Sequence, residues 1–165
     1  ITFGLGLDIK DTYGYQLATY LNMPWANVAN GSYLHENHQQ LPNINQIAAR
    51  RNQDIVIVQI NNLSRRVIDN QTQVFYDPTW CVERFVDYFN CVESALKDTE
   101  HYYVYWDNQQ FDIPAEIQQQ LSIYNKFCLD YNDCNSFGTK SHRAIAKVLA
   151  KVIESKKAQS ALHLD

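Results

Sequence analysis

The sequence predicts a three-layer α/β fold with a mainly parallel sheet, and three observations carry that expectation. The run "DIVIVQI", residues 54–60, is almost wholly β-branched and apolar and is flanked by polar residues, the pattern of a strand buried on both faces. Segments with helical apolar spacing alternate with extended ones along most of the chain, as in sheets covered by helices. The length of 165 residues and a hydrophobic share of 45% suit one folded domain, residues 1–165, and exclude a disordered chain.

The first helix is expected over residues 12–22, where Tyr13, Leu17 and Leu21 share a face and Asp11 is available as N-cap. "WANVAN", residues 25–30, reads as a short strand ending at a turn around Gly31. Helical spacing returns at Ile44, Ile47 and Ala48, after Pro42 as a start signal. The strand at 54–60 follows, and residues 61–78, rich in Asn, Arg and Gln, read as irregular. Val82, Phe85, Val86, Phe89 and Val92 then predict a long helix from Thr79 to about Leu96. "HYYVYW", residues 101–106, is an aromatic strand, more often sheet core than a sugar-stacking platform. A helix after Pro114, a short strand "KFCL" and a last helix striped by Ile145, Val148, Leu149, Val152 and Ile153 complete the order. Because the alternation opens on a helix, a further strand is expected upstream of Ile1 or from another chain.

Net charge is −4, and the basic residues are scattered apart from the pairs Arg50–Arg51, Arg65–Arg66 and Lys156–Lys157. No nucleic-acid partner is therefore expected. No apolar run approaches the roughly 18 residues of a membrane span, so no membrane partner is expected either. The four cysteines, Cys81, Cys91, Cys128 and Cys134, form no C-x-x-C pair. Cys81 and Cys91 fall on one predicted helix about 15 Å apart at roughly 1.5 Å per residue, too far for a disulfide. Reduced thiols and a reducing compartment are the expectation. His35 and His38 in "HENH" could form half of a metal site but have no third clustered ligand, so a solvated loop is the reading and no metal or cofactor is expected. "GLGLD" near the start is too short for a dinucleotide loop.

Two polar stretches raise the question of chemistry. "QINNLSRR" ends the central strand with Asn61 and Asn62, at the carboxyl edge where ligands bind in open α/β sheets. "DCNSFGTKSHRAIA", residues 133–146, delivers His142 to the first turn of the last helix. Together with "ITFGLGLDIKDTYGYQLATYLN" and "NVANGSY", these stretches resemble the sequence blocks of the SGNH (GDSL-type) hydrolases, acyl-ester hydrolases on a flavodoxin-like scaffold. The resemblance spans nearly the whole chain and implies that the nucleophilic Ser falls immediately before Ile1. It assigns oxyanion binding to Gly31, or Ala29, and to Asn62, with Ile60 and Leu63 standing where the block has Gly and Asp. It aligns Asp133 with the family's carboxylate, Ser136 with the catalytic His, Phe137 with Pro, and His142 with a second, non-catalytic His.

A serine hydroxyl needs a neighbouring imidazole to take its proton. Ser136 cannot do this, so the resemblance implies a degenerate site acting as a binding or assembly module for an acylated carbohydrate or a protein partner. The alternative is an active serine esterase, in which a one-turn shift of the loop brings His142 into the site as base. Geometrically, Gly31, Asn62 and the Asp133–Ser136 loop are expected to converge on one sheet edge, the polar atoms of Asn62 and the Ser136 loop within roughly 10 Å of each other, with His142 turned toward the start of its own helix or the neighbouring backbone, away from that pocket.

Overall fold

The computed structural model describes residues 7–26, 37–49, 55–60, 63–68, 71–74, 77–105, 111–121, 130 and 138–162. The chain is mixed α/β and mostly helical, and among the described residues it holds a small two-strand parallel sheet and one antiparallel hairpin. It divides into two compact units, Ile1–Asn27 with Lys126–Asp165, and Val28–Asn125.

In the first unit a 3-10 turn, Ile9–Asp11, leads into α1, Tyr13–Leu21. The expected cap, Asp11, lies inside that turn. Asp8 caps it instead, its Oδ1 accepting from the Lys10 N–H at 2.9 Å. Thr12 takes the N-cap position of α1, but its hydroxyl donates backward to the Ile9 carbonyl at 2.7 Å. The Thr12 side chain therefore does not cap the first N–H groups of α1, which a helix start leaves without intrahelical partners. At the other end Asn22 adopts φ 52° and ψ 47°, a left-handed conformation that Asn tolerates, and the Met23 N–H reaches back to the Ala18 carbonyl at 2.9 Å. Gly14 matters for packing, because a Cβ there would lie 2.6 Å from the Trp25 indole nitrogen. The second helix of the unit, α5, runs Thr139–Leu162 and buries Ile145, Ala146, Leu149, Ala150 and Ile153. α1 packs along it.

In the second unit a 3-10 turn, Asn37–Gln40, continues into α2, Leu41–Ala48, with Pro42 in its first turn. β1, Val56–Ile60, pairs in parallel with β4, His101–Tyr105, from Val56↔His101 to Ile60↔Tyr105. Val56, Val58, Gln59, Ile60, Tyr102, Tyr103 and Val104 are all buried, so neighbouring residues on opposite faces of both strands are covered, as the unbroken apolar run demands. Between them comes α3, Pro78–Ala95, started by Pro78 and capped by Asp77, whose Oδ1 accepts from the Trp80 N–H at 3.1 Å. Its Cys81, Phe85, Tyr88, Phe89 and Val92 are buried at helical spacing, and Phe89 meets the Tyr103 ring with centroids 5.1 Å apart. α4, Ala115–Leu121, buries Ile117 and Leu121 and packs near β4.

One expectation is corrected here. Residues 61–78 are not irregular throughout: β2, Arg65–Ile68, and β3, Gln71–Val74, form an antiparallel hairpin paired from Arg65↔Val74 to Ile68↔Gln71. Its strands are only four residues long and five of their eight residues are polar, with no alternation to mark them. The signal is the two-residue Asp-Asn spacer between them, a composition that suits a tight hairpin turn. Of the expected strand at 25–30, Trp25 and Ala26 carry no regular structure, and the remainder lies outside the described residues, as does "KFCL".

Candidate functional site

The start of α5 is built by a residue nine positions upstream. The Asp130 carboxylate accepts from the Ser141 N–H at 2.8 Å, the Ser141 hydroxyl at 2.7 Å and the Lys140 N–H at 3.1 Å. The Asp130 N–H is 3.0 Å from the Ser141 Oγ, and the Asp130 carbonyl accepts from the Gly138 N–H at 3.0 Å. A single acidic residue thus satisfies donors of the first helical turn that would otherwise have no partner. Burial pushes the Asp130 carboxyl up, but the Ser141 and Lys140 hydrogen bonds and the Lys140 charge outweigh it and hold the group below the ordinary carboxylate value. Gly138 is required beside it, since a Cβ at this position would collide with the Asp130 carboxylate.

One residue beyond Ser141, His142 is 2% exposed. Its Nδ1 accepts from the Tyr13 N–H at 3.0 Å, and its ring stacks on that of Tyr13 at 5.8 Å and 21°. The first N–H of α1, which Thr12 leaves unserved, is therefore capped by a side chain from α5. An imidazole that accepts at Nδ1 carries its proton on Nε2. That Nε2 is buried and has no hydrogen-bond partner among the described residues. Burial lowers the imidazole to about 4, with the Asp130 charge pulling partly back, so the ring is neutral at physiological pH. In this state His142 is a donor at Nε2 and holds no free lone pair, whereas a triad base must accept a proton there.

Of the other residues singled out from the sequence, Gly31, Asn62, Asp133 and Ser136 lie outside the described residues. Leu63, which stands where the resemblance puts an Asp, is buried in the second unit. His38 bonds Asp87, Nε2 to Oδ2 at 3.0 Å, and His35 lies outside the described residues. Among the described residues no group of three or more His, Cys, Asp or Glu side chains gathers at metal-binding distance, and no helix is long and apolar enough to cross a membrane.

Sequence reasoning missed two charged groupings. In the second unit Glu93 Oε1 accepts from the Tyr103 hydroxyl at 2.6 Å and faces His101 Nε2 at 2.9 Å, while His101 Nδ1 faces the Thr99 carbonyl at 2.8 Å. Burial pushes Glu93 up, yet these hydrogen bonds and the His101 charge bring it below its ordinary value. Burial first, and then the Glu93 contact, raises the Tyr103 hydroxyl, which stays protonated as a donor. The spacing of Glu93, His101 and Tyr103 across a helix end and a strand gives no sequence signal. The other grouping is a row of cations on α5, legible in retrospect as Lys140, Arg143, Lys147 and Lys151 at intervals of three and four. A shallow cleft in the second unit is lined in part by His38, Leu63, Trp80, Cys81 and Arg84. Its Cys81 thiol is raised, by burial first and by Asp77 second, so it offers no activated nucleophile.

Comparison with known families, with curated proteins and with solved structures returns no match.

Proposed function

We propose that this chain is an SGNH-hydrolase-like domain, residues 1–165 on a three-layer flavodoxin-like scaffold, that has lost acyl-transfer chemistry and acts as a binding or assembly module. The observation that carries the reading is the commitment of His142 Nδ1 to the Tyr13 N–H at 3.0 Å. It leaves the one histidine of the last block in the tautomer that cannot deprotonate a serine. Ser136 at the base position and buried Leu63 at an oxyanion-block position point the same way. The ligand in this reading is an acylated carbohydrate or a protein partner held at the carboxyl edge of the sheet near Gly31 and Asn62.

The test is hydrolysis of a short-chain aryl acetate by the full-length protein. The wild type is expected to show no turnover above background at high concentration, and Ser136→His to gain it. Wild-type turnover that disappears when the upstream Ser is mutated would overturn the degenerate reading in favour of an active esterase. Absence of any gain in Ser136→His would remove the element of an intact, merely disarmed pocket.

A further inference from the structure

The 24-residue helix α5 carries Lys140, Arg143, Lys147, Lys151, Lys156 and Lys157 and a single acid, Glu154, in a chain of net charge −4. The first four, at intervals of three, four and four, fall on one face, and all four are exposed. The opposite face, with Ile145, Leu149 and Ile153, is buried in the first unit, which fixes the cationic row toward solvent. Arg143 reaches Asp11 at 3.5 Å, with both side chains substantially exposed, a pair too long and too wet to neutralise it. Among the described residues Lys140, Lys147 and Lys151 take part in no ion pair. The row is about 16 Å long at roughly 1.5 Å per residue.

We propose that this face docks the phosphate backbone of a nucleic acid, without reading its bases. Magnitudes select the occupant. Exposed ion pairs with a protein partner contribute about 0.2–1 kcal/mol each, so four of them reach at most the lower end of the roughly 4–15 kcal/mol that association costs. The row holds no apolar residue to add to them. A lipid surface holds a helix best when an apolar face inserts, and that of α5 is already used internally. A nucleic acid differs because its condensed counterions are released when cations replace them, which drives binding without apolar contact. Each of the four cations can meet a phosphate oxygen of the backbone. The row has no aromatic side chain for base stacking and so carries no sequence preference. The acidic remainder of the chain repels the same polyanion, which confines binding to this face and to moderate salt. This inference is independent of the enzymatic or degenerate state of the site near Asn62.

The probe is a fluorescein-labelled 20-base-pair mixed-sequence DNA duplex, followed by anisotropy from 50 to 200 mM salt with the full chain. Binding is expected with a log–log salt slope near −3.6, that is about −0.9 for each of four contacts. Lys147→Glu with Lys151→Glu is expected to weaken binding at least tenfold at 50 mM salt with an unchanged circular dichroism spectrum. Glu154→Lys extends the row by one position, and it should tighten binding and steepen the slope by about one. No binding at 50 mM salt, or equal binding by the double reversal and by Glu154→Lys, overturns the proposal. Tighter binding to phosphatidylserine vesicles, polyglutamate or a sulfated glycan than to the duplex overturns it too, and assigns the face to that class.

Discussion

Two histidines in the two units of this chain meet opposite electrostatic settings, and the contrast shows what each is for. His142 is enclosed, stacked on Tyr13 and used as an acceptor for one backbone N–H. His101 stands at the start of β4 with its side chain 15% exposed, and both of its ring nitrogens face acceptors, the Glu93 carboxylate and the Thr99 carbonyl. A neutral ring satisfies only one of those two acceptors, and an imidazolium donates to both. His142 works because it is uncharged and buried, so it behaves as a core residue with one polar task. His101 belongs to a partly wet charge network joining a helix end to a strand.

The largest expected effect comes from breaking the buried side of this contrast. His142→Ala removes a stacked ring from a closed site and strands the Tyr13 N–H, and the two losses together should cost about 2–4 kcal/mol in urea denaturation. An unchanged midpoint would show that His142 does not hold α1 to α5. His142→Asn, whose amide oxygen can accept, should recover part of the loss.

The pH dependence sharpens the comparison. The folded imidazole of His142 lies at about 4, below its ordinary 6.5. The unfolded chain therefore takes up a proton that the folded one refuses as pH falls. The stability this site contributes is complete above about pH 6.5 and is lost progressively between there and about 4, up to about 3 kcal/mol. The wild-type urea midpoint should fall across that window, and His142→Asn should flatten the fall. A midpoint constant from pH 7 to 4.5 would mean that the ring is already solvated.

Gly138→Ala is the next test in size. The added methyl meets the Asp130 carboxylate, so the clasp on Lys140 and Ser141 must open or shift, at about 1–3 kcal/mol. Asp130→Ala, which removes the acceptor without a clash, should cost about 1–2 kcal/mol. Thermal melts of the two variants, separately and combined, would show whether they act through one contact, since a shared contact makes the combined loss smaller than the sum.

These contacts also show where a sequence stops being informative. The helices α3 and α5 and the strands β1 and β4 were legible because each buries a periodic or unbroken apolar run, and burial is what periodicity records. The hairpin β2–β3 was not, because its strands are short and without alternation and its identity lies in pairing. At the start of α1, Asp11 was the expected cap but lies inside the preceding turn, with Asp8 capping that turn and Thr12 at the N-cap of α1, while the decisive acceptor comes from His142, 129 residues away. Asp130 escaped notice for a related reason: its partners Lys140 and Ser141 are ten and eleven positions on, beyond the reach of any local capping rule. Of the candidate site, His142 could be placed, whereas the proposed grouping of Gly31, Asn62, Asp133 and Ser136 depends on how loops meet, which residue type and spacing do not encode.

The smallest expected effect lies on the exposed side of the contrast, and salt separates it from the rest. Glu93→Gln keeps the shape of the side chain but removes the anion that His101 and Tyr103 address. The Glu93 side chain is 38% exposed, so screening holds the loss below about 1 kcal/mol. Its sign follows from the lowered carboxyl: the contribution is present above the ordinary glutamate value and disappears as pH falls through the folded one, a more acid window than that of His142. Because the Glu93 carboxylate is a charge near solvent, 0.5 M salt should shrink the Glu93→Gln loss. The His142→Ala loss, which involves a neutral ring and a buried amide, should be unchanged by the same salt. Equal salt sensitivity in the two variants would mean that His142 carries charge in the folded protein, and the distinction between the two sites would collapse.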